Sequence, residues 1–334
     1  MSGAPARVLE ALRHAGDRSC SGESLSAELG VSRAQVWKHV QALRGRGYGI
    51  QGERGGGYRL TAVPDRLYPE EIAHHLRTRW LGRTLHHFED VDSTNRVALE
   101  LARAGAASGT AVVAEGQSAG RGRLGRSFYS PPHVNLYTSI VLRPAVSTGE
   151  APTLILASAV AVAEAVAAEL DDPGRVEIKW PNDVLVDGRK TSGILMEMSA
   201  EATRVAFCVL GIGVNLNVDP ASFPETFRDS ATSVRAARRR PVARAAFAAR
   251  LYGTLEDVLD VHARRGFAGL RPRFEARFRM GGRRVRVRQL DGSESAGVVR
   301  GVDGDGALLL GRPAGGIERV IAGDVTLARP GDET

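Results

Sequence analysis

The residues that could bind an anion are concentrated in one glycine- and arginine-rich segment. It reads Gly-Gln-Ser-Ala-Gly-Arg-Gly-Arg-Leu-Gly-Arg-Ser at positions 116–127 and follows an apolar run, residues 111–114, that predicts a strand. Glycines let backbone amides approach phosphate oxygens closely, and arginine guanidiniums match such oxygens with paired N–H donors. The Lys-Ser/Thr ending of a P-loop is missing, so the segment is not a Walker A site. It is either a phosphate-binding loop of another kind or a mobile surface loop.

A second group of reactive side chains lies in the string Lys179-Trp180-Pro181-Asn182-Asp183, which ends a predicted strand. The Asp187-Gly188 pair predicts a hairpin turn, which would return Lys190 close to Asn182 and Asp183. A carboxylate next to a lysine in an electropositive pocket can support proton transfer and phosphate neutralisation. The alternative is a turn with one surface ion pair.

Two further polar segments could form the walls of a ligand site. Asp92-Ser93-Thr94-Asn95 directly precedes a predicted helix, and its side chains with the first helix amides form a cradle for a carbonyl or urea-like group. Residues 211–217, Gly-Ile-Gly-Val-Asn-Leu-Asn, follow an apolar strand. Their glycines would let a flat ring lie against the backbone, with Asn215 placed to hydrogen-bond it. The first segment is equally consistent with an ordinary helix cap.

The composition of the 334-residue chain predicts a folded protein of two or three domains. An apolar share of 43% is sufficient for ordinary cores and excludes a disordered chain, while two distant cysteines, Cys20 and Cys208, exclude a disulfide scaffold. Lys and Arg outnumber Asp and Glu by 45 to 38, a balance that suits nucleic acid or phosphorylated ligands. No apolar segment follows Met1 as in a signal peptide, and the longest apolar stretch, residues 153–170, carries two glutamates. We therefore expect no membrane span and a cytoplasmic protein.

Residues 1–63 have the pattern of a winged helix-turn-helix domain. A capping-box sequence, Ser32 to Gln35, starts a helix with Val36, Val40 and Leu43 on one face and basic residues on the other. A glycine-tipped hairpin at residues 53–57 follows as the wing. This order predicts DNA binding, and the alternative is a solvated basic helix on a small core. The predicted DNA contacts are Ser32, Arg33, Gln35, Lys38 and Arg44.

Two more domains are predicted after residue 63. Residues 64–280 contain strand-like runs at 111–114, 136–142, 176–180, 184–186, 193–198 and 205–210, and helical stretches at 95–104, 153–170 and 242–261. Their irregular alternation favours an α+β domain with a mixed sheet over a doubly wound parallel sheet. Residues 281–334 contain short strands and turn pairs such as Asp291-Gly292, which predict a small β-barrel. Arginines line the first of these strands, which we predict to be an exposed edge: Arg283, Arg284, Arg286 and Arg288.

Taken in order, these segments closely resemble the bacterial biotin protein ligase of the bifunctional type, which is also the biotin operon repressor. The resemblance covers almost the whole chain, and its most specific part is residues 179–183 followed by Lys190-x-x-Gly193-Ile194-Leu195. It implies a winged helix-turn-helix, a class II synthetase-like ligase domain with a mixed sheet, and a C-terminal SH3-like β-barrel. Phe128 stands where some relatives carry Trp, and Leu124 interrupts the arginine series.

The resemblance implies a reaction of two steps. Biotin and ATP, with Mg²⁺ carried by the nucleotide and no certain protein ligand for the metal, form biotinyl-5′-AMP, from which a lysine of biotin carboxyl carrier protein takes the biotin. Lys190 and Arg123 are implied in catalysis, and we add the hypothesis that Asp183 is the base or orienting partner of the acceptor lysine. Implied biotin contacts are Ser93, Thr94, Asn95, Gln117, Arg121, Gly122, Arg123 and Lys190. Implied adenylate contacts are Arg121, Arg123, Arg126, Phe128, Asn182 and Asn215.

The resemblance further implies that the adenylate-bound protein forms a homodimer and presents two winged helices to operator DNA. Two other functions stay open at this point. A lipoate or octanoate ligase would share the central fold but bind an extended acyl chain. A ligand-sensing repressor without ligase activity would need the winged helix but neither Lys190 nor the arginine-rich loop.

Overall fold

The computed structural model of the protein describes residues 3–53, 57–289, 292–312 and 315–327. The chain divides into two compact units, Met1–Arg66 and Leu67–Thr334. The tip of the predicted wing, residues 54–56, and the predicted turn residue Asp291 lie outside the described residues. The first division falls three residues beyond the predicted boundary, and the separate domain at 281–334 stays a prediction.

The first unit is a helix-turn-helix followed by a two-stranded hairpin. Its elements are α1 (Ala4–Ala15), β1 (Cys20–Ser21), α2 (Gly22–Leu29), α3 (Arg33–Gly45), β2 (Gly49–Glu53) and β3 (Gly57–Ala62), and its sheet has the order β1-β3-β2. Gly30 ends α2 in the left-handed conformation that glycine adopts most easily. The predicted capping box is confirmed, because Gln35 N donates to Ser32 Oγ at 3.2 Å and Ser32 N donates to Gln35 Oε1 at 2.9 Å.

The second unit is built on a seven-stranded mixed sheet. Its helices and strands before residue 280 are α4 (Pro69–His75), β4 (Leu85–Val91), α5 (Thr94–Arg103), β5 (Ala111–Gln117), β6 (Leu136–Leu142), α6 (Pro152–Ala167), β7 (Val176–Lys179), β8 (Asp183–Val186), β9 (Arg189–Glu201), β10 (Arg204–Val214), α7 (Val234–Arg238), α8 (Arg244–Arg265) and α9 (Arg271–Glu275). The strand order is β4-β5-β6-β10-β9-β8-β7, with β4 and β5 parallel and the other neighbours antiparallel. The prediction of a mixed sheet in an α+β unit is confirmed.

Alternate residues of the central strands divide the core between the two faces of the sheet. On β5, Val113 packs with α6 and α8, whereas its neighbour Val112 packs with Ala98 and Ala102 of α5. The alanine-rich α6 overlaps the helical stretch predicted at 153–170 and is buried over most of its length. No helix among the described residues is long and apolar enough to cross a membrane.

The C-terminal strands form a second, antiparallel sheet. They are β11 (Arg284–Arg288), β12 (Glu294–Val302), β13 (Leu308–Gly311), β14 (Ile317–Val320) and β15 (Asp324–Leu327), in the order β14-β13-β12-β11-β15. Within the described residues β14 and β15 do not pair, so the sheet is open and the predicted SH3-like barrel is not confirmed. The prediction that the arginine-lined strand is an edge was wrong, because β11 pairs on both sides, with β12 and β15. Its arginines are exposed because Val285 and Val287, which alternate with them, face the core.

Candidate active site

One pocket of the second unit brings together most of the ligand residues that the sequence predicted. It lies where α5 begins, where β5 ends and where the glycines of β9 and β10 are exposed to the arginine-rich loop. The predicted residues that line it are Ser93, Thr94, Asn95, Gln117, Arg121, Gly122, Arg123, Phe128, Asn182 and Lys190. Neutral polar groups form one wall and cationic groups form the other, so the pocket suits a ligand with a neutral head and an anionic end.

The neutral wall is held by a chain of hydrogen bonds centred on Gln117. The backbone N and the Oγ1 of Thr94 both donate to Gln117 Oε1, at 2.9 and 3.1 Å. Gln117 Nε2 donates to Ser130 Oγ at 3.0 Å, and Ser130 Oγ donates to the Phe128 carbonyl at 2.8 Å. Because the Gln117 oxygen accepts from the first turn of α5, the side chain ties the end of β5 to the start of that helix.

Two residues that were not predicted from the sequence support this wall through Thr94 and Asn95. Ser139 of β6 is fully buried, and its Oγ lies 2.6 Å from Asn95 Oδ1 and 2.8 Å from Thr94 Oγ1. Asn95 Nδ2 donates to Glu197 Oε2 at 2.8 Å. A signal for Ser139 exists in the sequence, because a Thr-Ser pair interrupts the otherwise apolar run of residues 136–142. Glu197 carries no such signal, since an acidic residue near the end of a strand is ordinary.

The arginine-rich loop folds back on itself as a narrow hairpin. Gly122 N donates to the Arg126 carbonyl at 2.7 Å, and Phe128 N donates to the Gly120 carbonyl at 2.8 Å. A Cβ at Gly120 would lie 2.6 Å from the Phe128 carbonyl oxygen, so only glycine fits at the base of the hairpin. Arg123 points back to the pocket, where its Nη1 donates to Asn182 Oδ1 at 2.9 Å.

The cationic wall includes Lys190, which the β8–β9 hairpin returns to the pocket as predicted. Asp187 and Gly188 form the turn with φ of 51° and 73°, the positive angles of a tight hairpin. Lys190 Nζ lies 2.7 Å from Asp183 Oδ1. A Cβ at residue 193 would lie 3.2 Å from Lys190 Nζ, so Gly193 provides the surface over which the lysine extends.

The floor of the pocket is a pair of glycines on adjacent strands. Gly193 of β9 and Gly213 of β10 are direct cross-strand partners. The ring of Phe128 lies over both, since a Cβ would approach it to 3.4 Å at Gly193 and to 2.6 Å at Gly213. Phe128 also meets Tyr137 edge to face, with ring centroids 6.4 Å apart. The half-buried phenylalanine therefore acts as an apolar cover on a flat backbone surface.

Two predicted adenylate contacts do not reach the pocket. Arg126 forms an ion pair with Asp324 of β15. Asn215 is buried beyond the end of β10, where its Nδ2 donates to the Thr232 carbonyl at 3.2 Å and its Oδ1 faces Asn135. The sequence suggested contact because Asn215 follows the glycines closely, but the strand ends at Val214 and the amide lies among neighbouring loops.

The predicted DNA contacts lie on or beside α3 of the first unit. Arg33 and Lys38 are exposed, whereas Ser32 and Gln35 are exposed but engaged with each other in the capping box. Arg44 donates from Nε and Nη2 to the Ile50 carbonyl, at 2.9 and 2.7 Å, so it joins α3 to the hairpin. Trp37, which is not among the predicted contacts, is 53% exposed on the same helix.

Comparison with known proteins identifies the family. Family models match three segments: the biotin/lipoate A/B protein ligase family over residues 87–215, an HTH domain over residues 6–59, and the biotin protein ligase C terminal domain over residues 280–327. The chain is 37% identical over 321 residues to the "Bifunctional ligase/repressor BirA" of Bacillus subtilis, covering 96% of this chain and 97% of that protein. The protein of the same name from Escherichia coli is 32% identical over 308 residues, 92% of each chain. This chain belongs to the bifunctional biotin ligase/repressor family.

A solved structure also supports the ligase assignment. The biotin protein ligase from Aquifex aeolicus, solved in complex with biotin and ATP, matches 74% of this chain and all of its own length, with a TM-score of 0.63 and 28% identity. The recognition made from residues 179–183 and the downstream Lys190 motif is confirmed.

The ligase pocket rests on a buried ion pair that no sequence pattern indicated. Glu115 of β5 and Arg244 of α8 are completely buried, with Arg244 Nη1 2.8 Å from Glu115 Oε2. Burial raises the pKa of Glu115, but hydrogen bonds and charge from His87 and Arg244 outweigh it and lower the pKa to about 2. The pair anchors the strand that carries Gln117, two residues further on.

The residues that the structure describes contain no cluster of side chains that could bind a metal ion: no group of three or more His, Cys, Asp or Glu side chains is arranged to hold one. Asp183, beside Lys190, is a carboxylate next to the pocket.

Proposed function

We propose that this protein joins biotin to ATP, forming biotinyl-5′-AMP, and transfers the biotin to a lysine of the biotin carboxyl carrier protein of acetyl-CoA carboxylase. The observation that carries the proposal is the convergence of Lys190, Arg121 and Arg123 on a pocket whose other wall is neutral and polar. Such a pocket suits a ring with a urea-like head and a carboxylate that must meet a phosphate. The ligase relatives and the Aquifex aeolicus complex with biotin and ATP support this assignment.

In the first step, a biotin carboxylate oxygen bonds to the α-phosphorus of ATP, and the bond to the β-phosphate oxygen breaks to release pyrophosphate. Because two anions must meet, cationic donors must stabilise the charge that develops at phosphorus. We assign that role to Lys190, Arg121 and Arg123. Mg²⁺, which proteins hold mainly through substrate phosphates and one or two carboxylates, would neutralise phosphate charge when bound with ATP.

The neutral wall is assigned to the ring of biotin. Hydrogen bonds already hold the side chains of this wall without a ligand: Thr94 is bonded to Gln117, and Asn95 is bonded to Ser139. A wall fixed in advance loses little conformational freedom when the ring binds. Asn182 and Phe128, which line the same pocket, are assigned to the nucleotide.

In the second step, the ε-amine of the acceptor lysine attacks the carbonyl carbon of biotinyl-5′-AMP, and AMP leaves. An ordinary lysine has a pKa of about 10.4, so its amine must lose a proton before or during the attack. We assign Asp183 as the base or orienting group for that amine. Its carboxylate lies 2.7 Å from the Nζ of Lys190, a residue that lines the pocket.

The first unit is proposed to make the protein a repressor of biotin genes in the cytoplasm. With biotinyl-5′-AMP bound, the protein would form a homodimer whose two α3 helices contact the half-sites of an operator. The exposed Arg33 and Lys38 on a properly capped helix, and the repressor relatives, support this role. We also propose that residues 281–334 fold as an SH3-like domain beside the ligase pocket.

The test mixes the purified full-length chain with biotin, ATP and Mg²⁺ and measures pyrophosphate release and the mass of biotinyl-5′-AMP. Parallel reactions with lipoate and octanoate test the acyl-ligase alternative. Lys190→Ala should abolish release, whereas Arg189→Ala, an exposed neighbour in the same hairpin, should not. A preference for lipoate over biotin would contradict the proposal. So would a protein that binds operator DNA but releases no pyrophosphate from ATP with any of the three acids.

A further inference from the structure

Glu197 is a carboxylate that lies beside a pocket proposed to bind two anions. The presence of a negative charge at this place needs a physical explanation. It lies on β9 and is 30% exposed, with Oε1 3.7 Å from Arg121 Nη1 and Oε2 2.8 Å from Asn95 Nδ2. An acidic group at this place weakens anion binding by repulsion, so we expect it to have a role that compensates for this cost. Its contacts indicate what that role is.

A carboxylate only accepts hydrogen bonds, so it determines which end of a neighbouring amide faces it. Asn95 must present Nδ2 to Glu197, and its Oδ1 then faces the buried hydroxyl of Ser139 at 2.6 Å. The amide packs against the bare backbone of Gly211, since a Cβ at that residue would lie 2.1 Å from Asn95 Oδ1. The side chain of Asn95 therefore has one orientation, which is set by Glu197.

This orientation leaves a defined pattern of donors and acceptors on the pocket wall. Nδ2 of Asn95 has two hydrogens, and one of them is taken by Glu197. Among the residues that the structure describes, the second has no hydrogen-bond acceptor, and Asn95 lines the pocket. If the amide were reversed, an oxygen would replace this donor and would repel a carbonyl acceptor of the ligand.

We propose that Glu197 is a positioning residue for ligand recognition: it holds the amide of Asn95 so that an N–H faces the carbonyl of a urea-like ring. The inference rests on the proposed function, in which that ring belongs to biotin. Because Glu197 acts on the ring through Asn95, its loss removes binding that substrate and transition state share. Such a loss raises KM and leaves kcat nearly unchanged.

Three variants of the full-length protein test this assignment. Glu197→Ala should raise both the KM for biotin in adenylate formation and the Kd for biotin without ATP about tenfold, which is about 1.4 kcal/mol, with kcat within about threefold. Glu197→Gln retains an oxygen that accepts from Asn95 but loses the charge, so it should keep both constants within about threefold of wild type. The control is Glu201→Ala, an exposed glutamate on the same strand, which should behave as wild type.

Several results would overturn the proposal. Unchanged biotin binding in Glu197→Ala would show that Asn95 needs no such support. Equal impairment of Glu197→Gln and Glu197→Ala would make charge, through Arg121, the determinant instead of the amide orientation. If the wild-type protein binds biotin but releases no pyrophosphate, the proposed function is wrong, and the Kd values still test Glu197 separately.

Discussion

The glycine pair beneath Phe128 allows a single methyl group to be used as a probe of the active site. In Gly213→Ala the added Cβ would lie 2.6 Å from the Cε1 and Cζ atoms of Phe128. Carbon atoms pack at about 3.5–4.0 Å, so the ring must withdraw by about 1 Å. Displacement of that size in a group that positions substrate can lower a rate about 100-fold, equivalent to about 2.7 kcal/mol. We expect biotin-dependent ATP–pyrophosphate exchange to fall by that factor.

The same substitution should not destabilise the fold. Residue 213 lies within β10, where alanine is favoured over glycine by about 0.5–1 kcal/mol, and Phe128 is half-buried and can move toward solvent. The melting temperature of Gly213→Ala should therefore equal or exceed that of wild type. Gly253→Ala in α8 is the matched control, since a Cβ there meets nothing within 4 Å and the substitution should leave exchange unchanged.

A double-mutant cycle separates the clash from other effects of the methyl group. Phe128→Ala removes the ring with which the methyl group collides, so adding Gly213→Ala to it should cause little further loss. Non-additivity of this kind is expected for side chains in direct contact and not for distant, independent sites. Exchange activity of Gly213→Ala within threefold of wild type, or additive losses in the double mutant, would refute the role assigned to Phe128.

Three further predictions concern the acceptor, the core and the DNA. Asp183→Asn should slow biotin transfer from preformed adenylate more than adenylate synthesis, measured in single-turnover assays, and the reverse order would remove the base assignment. The pKa of Glu115 is about 2 in the folded protein and 4.5 ordinarily, so its ionisation contributes about 3 kcal/mol of stability above pH 4.5 that is lost as the pH falls toward 2. Accordingly, Arg244→Met should lower the free energy of unfolding at pH 7 by about 3–5 kcal/mol in urea denaturation, and an unchanged midpoint would contradict this. Replacing Arg33 and Lys38 with Ala should weaken operator binding in gel-shift titrations and reduce its salt dependence without changing ligation, and lost ligation would show a wider defect.

The parts of the fold that sequence analysis predicted well are those determined by neighbouring residues. The capping box at Ser32 and Gln35 and the turn at Asp187 depend on hydrogen bonds and backbone angles within a few residues. The return of Lys190 toward Asp183 follows from that turn. Because interactions between neighbouring residues determine these features, residues far away in the chain have little influence on them.

Elements and contacts that depend on distant partners were missed or misplaced. The edge strand β4 escaped prediction because residues 86–90 are two histidines, a phenylalanine and two acids, without apolar alternation. Arg126 belongs to the predicted loop, yet its partner Asp324 comes 198 positions later in the chain. Ser139 and Glu197 reach Asn95 only because β6 and β9 flank β10 in the sheet, and strand order cannot be read from spacing.

The two walls of the pocket differ in how they are built, and the difference matches what each must recognise. The neutral wall lies on the ends of β5 and α5, with Gln117 carried by a strand that the buried pair of Glu115 and Arg244 fixes in place. A neutral ring gains affinity only from donors and acceptors at set positions, because each bond is short-ranged and directional. Electrostatic attraction acts over longer distances than a hydrogen bond. Arg121, which is 52% exposed on a glycine-rich hairpin, can therefore bind an anion without being held rigidly by the core. A loop of that kind can also open to admit the acceptor lysine after the first step, which a wall anchored in the core cannot do.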